Sequence, residues 1–176
     1  MKVTLIISTY NSPNMLRLCL MSVAKQTVMP DEIIIADDGS TDETRKLIEE
    51  MAKSLPCPVK HAWQEDRGFR LAESRNNALR MCQGDYVVFI DGDIIMERHF
   101  IEDHKRLAEK GFFVVGSRSK LSAQANNRLF NKRNPNIHWF SKGVKNRFNA
   151  IYMPWLSFYT KNMYKKEWGK GRGANK

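Results

Sequence analysis

Cysteine is scarce in this chain, acid is almost missing from its C-terminal third, and the glycine signatures of common nucleotide enzymes are absent. The three cysteines, Cys19, Cys57 and Cys82, have no metal-ligand spacing and are odd in number. They read as reduced thiols, two of them on apolar helix faces, which favours a cytoplasmic location. No run reaches the ~18 apolar residues needed to cross a bilayer. The N-terminus passes straight into Lys2-Val3-Thr4-Leu5-Ile6-Ile7. It carries too little positive charge and no small-residue cleavage site for a signal peptide, so it reads as a first strand. Neither G-x-G-x-x-G nor the Walker pattern occurs, which argues against a dinucleotide cofactor and against a P-loop NTPase. His61, His99, His104 and His138 form no i,i+4 pair, and no serine or cysteine sits in a nucleophile motif. None of them is assigned a catalytic role.

The shortage of acid is local. The 176 residues hold 29 Lys and Arg against 19 Asp and Glu, but residues 111–176 hold 14 of the former and one of the latter, Glu167. The same stretch carries 12 of the 18 aromatic residues. A change of role near Gly111, within one domain, follows. Lysines interleaved with aromatics suit single-stranded nucleic acid, so a non-catalytic nucleic-acid-binding module is the alternative reading. It leaves the acidic N-terminal part unexplained, and no nucleic-acid partner is expected. A tail lying on anionic lipid, at the inner face of a membrane, fits an enzyme better.

What the chain does contain is an alternation of strands and helices. Strands are predicted over 3–8, 32–36, 59–63, 86–90 and 112–117. A first helix follows Ser12 as N-cap and Pro13 at N1, with an apolar stripe at Leu16, Cys19, Leu20 and Val23. A second opens on Ser40-Thr41-Asp42-Glu43, a capping-box pattern, and carries Leu47, Ile48 and Met51. A third spans 71–82, and a fourth spans 98–110 with Phe100, Ile101, His104, Leu107 and Ala108 inward. Near-continuous apolar strands alternating with helices predict an α/β fold with a mostly parallel sheet covered on both faces. Its strand C-termini then share one edge, where open α/β sheets bind ligands. The loops on that edge are Thr9-Tyr10-Asn11, Asp37-Asp38-Gly39-Ser40, Gln64 to Arg70, and Asp91-Gly92-Asp93.

Asp91-Gly92-Asp93 is the sharpest of these. Two carboxylates leave the end of a buried strand, brought close by a glycine that permits a tight bend. Oxygen ligands of this kind suit a hard divalent cation, Mg²⁺ or Mn²⁺, which keeps positions open for phosphate oxygens. Asp37-Asp38-Gly39-Ser40 is at least a turn, and a carboxylate there can also accept from a nucleobase N–H or a ribose hydroxyl. Arg67, Arg70 and Arg75 follow the third strand, and arginine suits bidentate phosphate recognition.

The ordered set Ile7-Ser8-Thr9-Tyr10-Asn11, Ile35-Ala36-Asp37-Asp38-Gly39-Ser40-Thr41-Asp42, Arg75-Asn76-Asn77-Ala78, Gly84-Asp85-Tyr86 and Phe89-Ile90-Asp91-Gly92-Asp93 resembles family 2 glycosyltransferases of the GT-A fold. Glu65-Asp66-Arg67-Gly68-Phe69-Arg70-Leu71-Ala72, with Gly116-Ser117-Arg118, is similar to the branch of bacterial capsule and lipopolysaccharide sugar transferases and chondroitin-type polymerases. The resemblance covers residues 3–118. It implies a nucleotide-sugar-binding core over 1–118 and a basic, aromatic, acceptor-side region over 119–176. It also implies inverting transfer from a nucleotide sugar, usually a UDP-sugar, to a hydroxyl of a glycan or lipid-linked acceptor. Thr9, Tyr10 and Asn11 would border the nucleoside. Asp38 would bind uracil or ribose, and Arg70 or Arg75 the base or diphosphate. Asp91 and Gly92 would meet the ribose or the metal, and Asp93 would ligate Mn²⁺ or Mg²⁺. The family takes its general base from an acidic motif well after this point. Here Glu167 alone follows Glu109, and the ending Gly171-Arg172-Gly173-Ala174-Asn175-Lys176 resembles the segment before that motif. A chain cut short, without its base, is the expectation.

Overall fold

A computed structural model of the chain describes residues 1–153. Glu167, the aromatic run beyond Met153 and the glycine-containing ending lie outside the described residues. The elements alternate as β1 (Val3–Thr9), α1 (Pro13–Val23), β2 (Glu32–Asp37), α2 (Asp42–Ala52), β3 (Val59–Trp63), α3 (Leu71–Arg80), β4 (Tyr86–Asp91) and α4 (Phe100–Leu107). Then come β5 (Lys120–Leu121), α5 (Ala123–Lys132), β6 (Val144–Lys145) and a 3₁₀ turn over Arg147–Ala150.

β1 to β4 form one parallel sheet in the order β3-β2-β1-β4. Side chains alternate across it, and helices lie on both faces, with Phe89 of β4 left 45% exposed on the α3 face. Val3, Leu5 and Ile7 of β1 and Ile33 and Ile35 of β2 bury against Leu16, Cys19 and Leu20 of α1, Leu47 and Ile48 of α2, and Ile101 of α4. Ile6, Ile34, Ala36 and Ala62 turn to the other face, where Ala78 of α3 meets them. Small side chains there let α3 lie close to the sheet. Right-handed crossovers account for the arrangement. The chain builds outward through β2 and β3, then α3 carries it back over the opposite face to place β4 beside β1. The strand order therefore reverses between β1 and β4, which makes their C-terminal ends a switch point.

The opposite edge is held by a buried carboxylate. Glu32 accepts from Thr4 Oγ1 at 2.6 Å, from the Gln83 N–H at 2.6 Å and from Lys60 Nζ at 2.7 Å. Burial alone would raise its pKa, but these donors together lower it below the usual carboxylate range.

Four expectations are corrected. No strand forms over 112–117; the only strand after β4 among the described residues is the short β5–β6 antiparallel pair. Strand propensity measures fit to a pairing neighbour. The segment lies outside both sheets, and Val115 is 77% exposed. The third helix stops at Arg80 rather than Cys82, because Cys82 N–H bonds to Leu79 O in a tightened last turn. The fourth runs Phe100–Leu107 because Glu97 takes both the His99 N–H and the His99 ring, holding a turn where the helix was expected to begin. Ser12 and Thr41 occupy N-cap positions without side-chain caps. The Ser12 hydroxyl donates instead to Tyr10 O, and α2 carries Asp42 and Glu43 in its first turn, where the helix dipole favours them.

Candidate functional site

The register aligns the strand exits: Thr9 with Asp37, Asp37 with Trp63, and Ser8 with Asp91. The four loops that follow are laced together by side chains. Asn11, with φ 44°, donates its N–H to Ser40 Oγ at 2.9 Å and accepts the Thr41 N–H on Oδ1 at 3.0 Å. Tyr10, half exposed, donates its hydroxyl to Asp66 Oδ2 at 2.8 Å. That bond is the main reason the Asp66 carboxyl sits below its ordinary range. Thr9 is buried, with an Oγ1 that has no hydrogen-bond partner among the described residues.

Two adjacent carboxylates end β2 and do different things. Asp37 is fully buried, accepting the Ser40 N–H at 2.8 Å and facing His61 Nε2 at 2.8 Å. It shapes the turn. Asp38 is 4% exposed and accepts from Gln64 Nε2 at 2.6 Å and from the Arg70 N–H at 2.8 Å. Gly39 lets the third loop close over the second. Its φ is +96°, and a Cβ there would stand 2.6 Å from the Asp66 backbone. The result is a cleft of about 90 Å³ lined by Tyr10, Asp38, Gly68 and Phe69. Phe69 is 89% exposed, an aromatic face presented to solvent beside a buried acceptor.

On the other side of β1, Arg75 joins β1 to β4. Its Nε donates to Ser8 Oγ at 2.9 Å and its Nη2 to Asp91 Oδ1 at 2.6 Å. Gly92 extends the ladder, its N–H donating to Ser8 O at 2.7 Å. Asp93 is exposed and has no hydrogen-bond or ion-pair partner among the described residues. The donor set fits a hard divalent cation. Asp93 and the second oxygen of Asp91 are uncommitted carboxylate oxygens, and no group of three potential metal ligands occurs among the described residues. The protein would supply two carboxylates, with the remaining positions left to phosphate oxygens and water.

The structure thus brings Tyr10 and Asp38 to one cleft and Arg75, Asp91 and Gly92 to one cluster. Arg70, expected with Arg75 as a contact to the base or diphosphate, makes internal contacts. Its guanidinium binds Glu73 and the Glu65 carbonyl, and its backbone anchors Asp38. Gln64, Asp66, Phe69, Ser8 and Ser40 were not singled out from the sequence. All but Ser8 lie in the recognised edge loops, and a polar residue in such a loop is the signal that could have found them. Ser8 is signalled only by its place as a polar residue at the end of the apolar first strand.

A parallel sheet with a switch point, a buried acceptor beside exposed aromatics and an Asp-Gly-Asp strand exit define a GT-A nucleotide-sugar fold. The sequence profile of Glycosyl transferase family 2 matches residues 4–168, and the chain belongs to that family. Among its relatives, Glycosyltransferase GlyA of Streptococcus pneumoniae is 35% identical over 109 residues, covering 61% of this chain and 15% of that protein. Chondroitin synthase of Escherichia coli is 32% identical over 100 residues, 57% of this chain and 14% of that one. The mannosyltransferase PcManGT from Pyrobaculum calidifontis, solved in complex with GDP-Man and Mn²⁺, superposes with a TM-score of 0.58 at 26% identity, over 74% of this chain and 37% of that one. S. aureus TarS superposes with a TM-score of 0.54 at 31% identity, over 61% and 19%. The chain spans less than a third of the length of the curated relatives it matches.

Proposed function

We propose that this chain is the donor-binding part of an inverting glycosyltransferase that moves a sugar from a UDP-sugar to a hydroxyl of a glycan or lipid-linked acceptor in bacterial surface polysaccharide synthesis. The observation that carries the reading is the placement of the Asp38 cleft and Asp91-Gly92-Asp93 on strands that flank β1. Neighbouring strands stand about 4.8 Å apart, so these exits lie roughly 10 Å from each other. A nucleoside diphosphate bridges such a span. Tyr10 and Phe69 offer apolar faces to the base. Asp38, an acceptor-only carboxylate, takes a base N–H or a ribose hydroxyl. Arg75 holds Asp91 at the diphosphate end. Asp91 and Asp93 would hold Mn²⁺ or Mg²⁺, which when bound supplies Lewis-acid neutralisation of the charge that grows on the leaving phosphate.

Inversion also needs a base to take the proton from the acceptor hydroxyl. After Glu109 the chain offers only Glu167, so in this reading the base comes from outside the described residues. Residues 119–176 form the acceptor-side region. Isothermal calorimetry with UDP and Mn²⁺ tests the reading. Binding is expected, and Asp93→Ala is expected to weaken it at least about tenfold. No binding, or binding indifferent to Asp93, overturns it.

A further inference from the structure

We infer that Gln64 is a positioning residue that presents the Asp38 carboxylate to the ligand, an inference that rests on the proposed function. Arg80 Nη1 donates to Asn77 Oδ1 at 2.6 Å, Asn77 Nδ2 donates to Gln64 Oε1 at 2.8 Å, and Gln64 Nε2 donates to Asp38 Oδ1 at 2.6 Å. The direction of this relay is forced from both ends. A guanidinium can only donate and a carboxylate can only accept, so neither amide between them can turn over without losing a bond. The aligned dipoles reinforce one another.

Hydrogen-bonding capacity separates the roles of the two residues. Gln64 spends its oxygen on Asn77 and one N–H on Asp38; its nitrogen also stands 3.5 Å from Arg70 O. Little is left for a ligand. Asp38 accepts two internal bonds, one per oxygen, out of about four lone-pair positions. The lone pairs that remain are those a ligand N–H or O–H would meet in the cleft beside Tyr10 and Phe69. Among the described residues Gln64 supplies the only side-chain donor to Asp38, so it sets which way those lone pairs face.

Gln64→Glu tests the role through a signature that lost packing alone would not give. At about pH 8 a second carboxylate would stand against Asp38, and the two would repel. At about pH 5 they would share a proton, restoring a donor to Asp38. UDP affinity in the presence of Mn²⁺, expressed as the ratio of variant to wild type at each pH, is expected to fall about tenfold at the higher pH and to return within about threefold at the lower. Thermal melting at both pH values reports folding. If Gln64→Glu does not fold, Asn77→Asp takes its place: paired with Arg80, its carboxylate stays ionised at both pH values, favours the turned-over Gln64 amide and predicts UDP affinity about tenfold lower at both. For Gln64→Glu a ratio that does not change with pH, whether at full or reduced affinity, and for Asn77→Asp an undiminished affinity, overturns the positioning role alone. Failure of the wild-type protein to bind UDP removes the proposed function and this inference with it.

Discussion

Single side chains here work by constraint as much as by contact. Gly92 shows it. A Cβ at that position would stand 2.9 Å from Ser8 O, an atom fixed in the ladder. Gly92→Ala should therefore push Asp91 and Asp93 away from β1, at a cost of about 1–3 kcal/mol. Urea unfolding reads the stability, and calorimetry with UDP and Mn²⁺ should read weakened binding in the same protein. A titrating residue gives a second test. His104 is buried against Tyr86, whose hydroxyl lies 3.0 Å from Nδ1, and burial pushes its imidazole down to about 4. The folded state thus refuses a proton that the unfolded chain accepts at about 6.5. Stability is fully present above that value and should decline as the pH falls from about 6.5 toward about 4. The urea midpoint followed across this window should drop for wild type and stay flatter for His104→Asn.

At the level of elements, the sheet and its four flanking helices follow from patterns visible in the chain. Ile33-Ile34-Ile35 announces a strand buried on both faces, and Leu16, Cys19, Leu20 and Val23 announce a helix with one buried stripe. Truncating that stripe, as in Leu20→Ala, should cost about 2–5 kcal/mol by urea unfolding, since Leu20 is fully enclosed. Phe112–Ser117 has equally strand-like composition and forms no strand, because β propensity depends on a neighbour that residue types alone do not reveal. The site divides along the same line. Asp38 and Asp91-Gly92-Asp93 were legible because a charged residue at the exit of an apolar run lacks a packing role. The relay through Gln64 and Asn77 was not. Its members stand 13 residues apart, and their partnership exists only once α3 lies across β2 and β3.

Over the whole molecule, charge is divided. The acid needed at the ligand edge lies in the first 110 residues, while residues 111–176 hold 14 basic residues and one acidic one. No helix among the described residues is long and apolar enough to cross a membrane. In the proposed reading, the basic and aromatic residues of 111–176 would give a weak electrostatic hold on anionic lipid, near a lipid-linked acceptor. Sedimentation with vesicles containing phosphatidylserine should carry the protein down at low ionic strength. About 0.5 M salt, which shortens the Debye length to a few ångströms, should release it. Recovery of the protein in the supernatant at low salt would count against this reading.

The placement of the first strand has a consequence for biosynthesis. β1 lies between a partner that follows it closely and one that arrives much later: Leu5 pairs with Ile33 on one side and with Val88 on the other. As the polypeptide leaves the ribosome, the β2 side can close early. The other flank must wait, its N–H and C=O groups unpaired, until β4 has emerged. A nascent chain arrested before Asp91 would offer that edge to whatever strand it met first, so a fragment that ends before β4 should aggregate more readily than one that includes it.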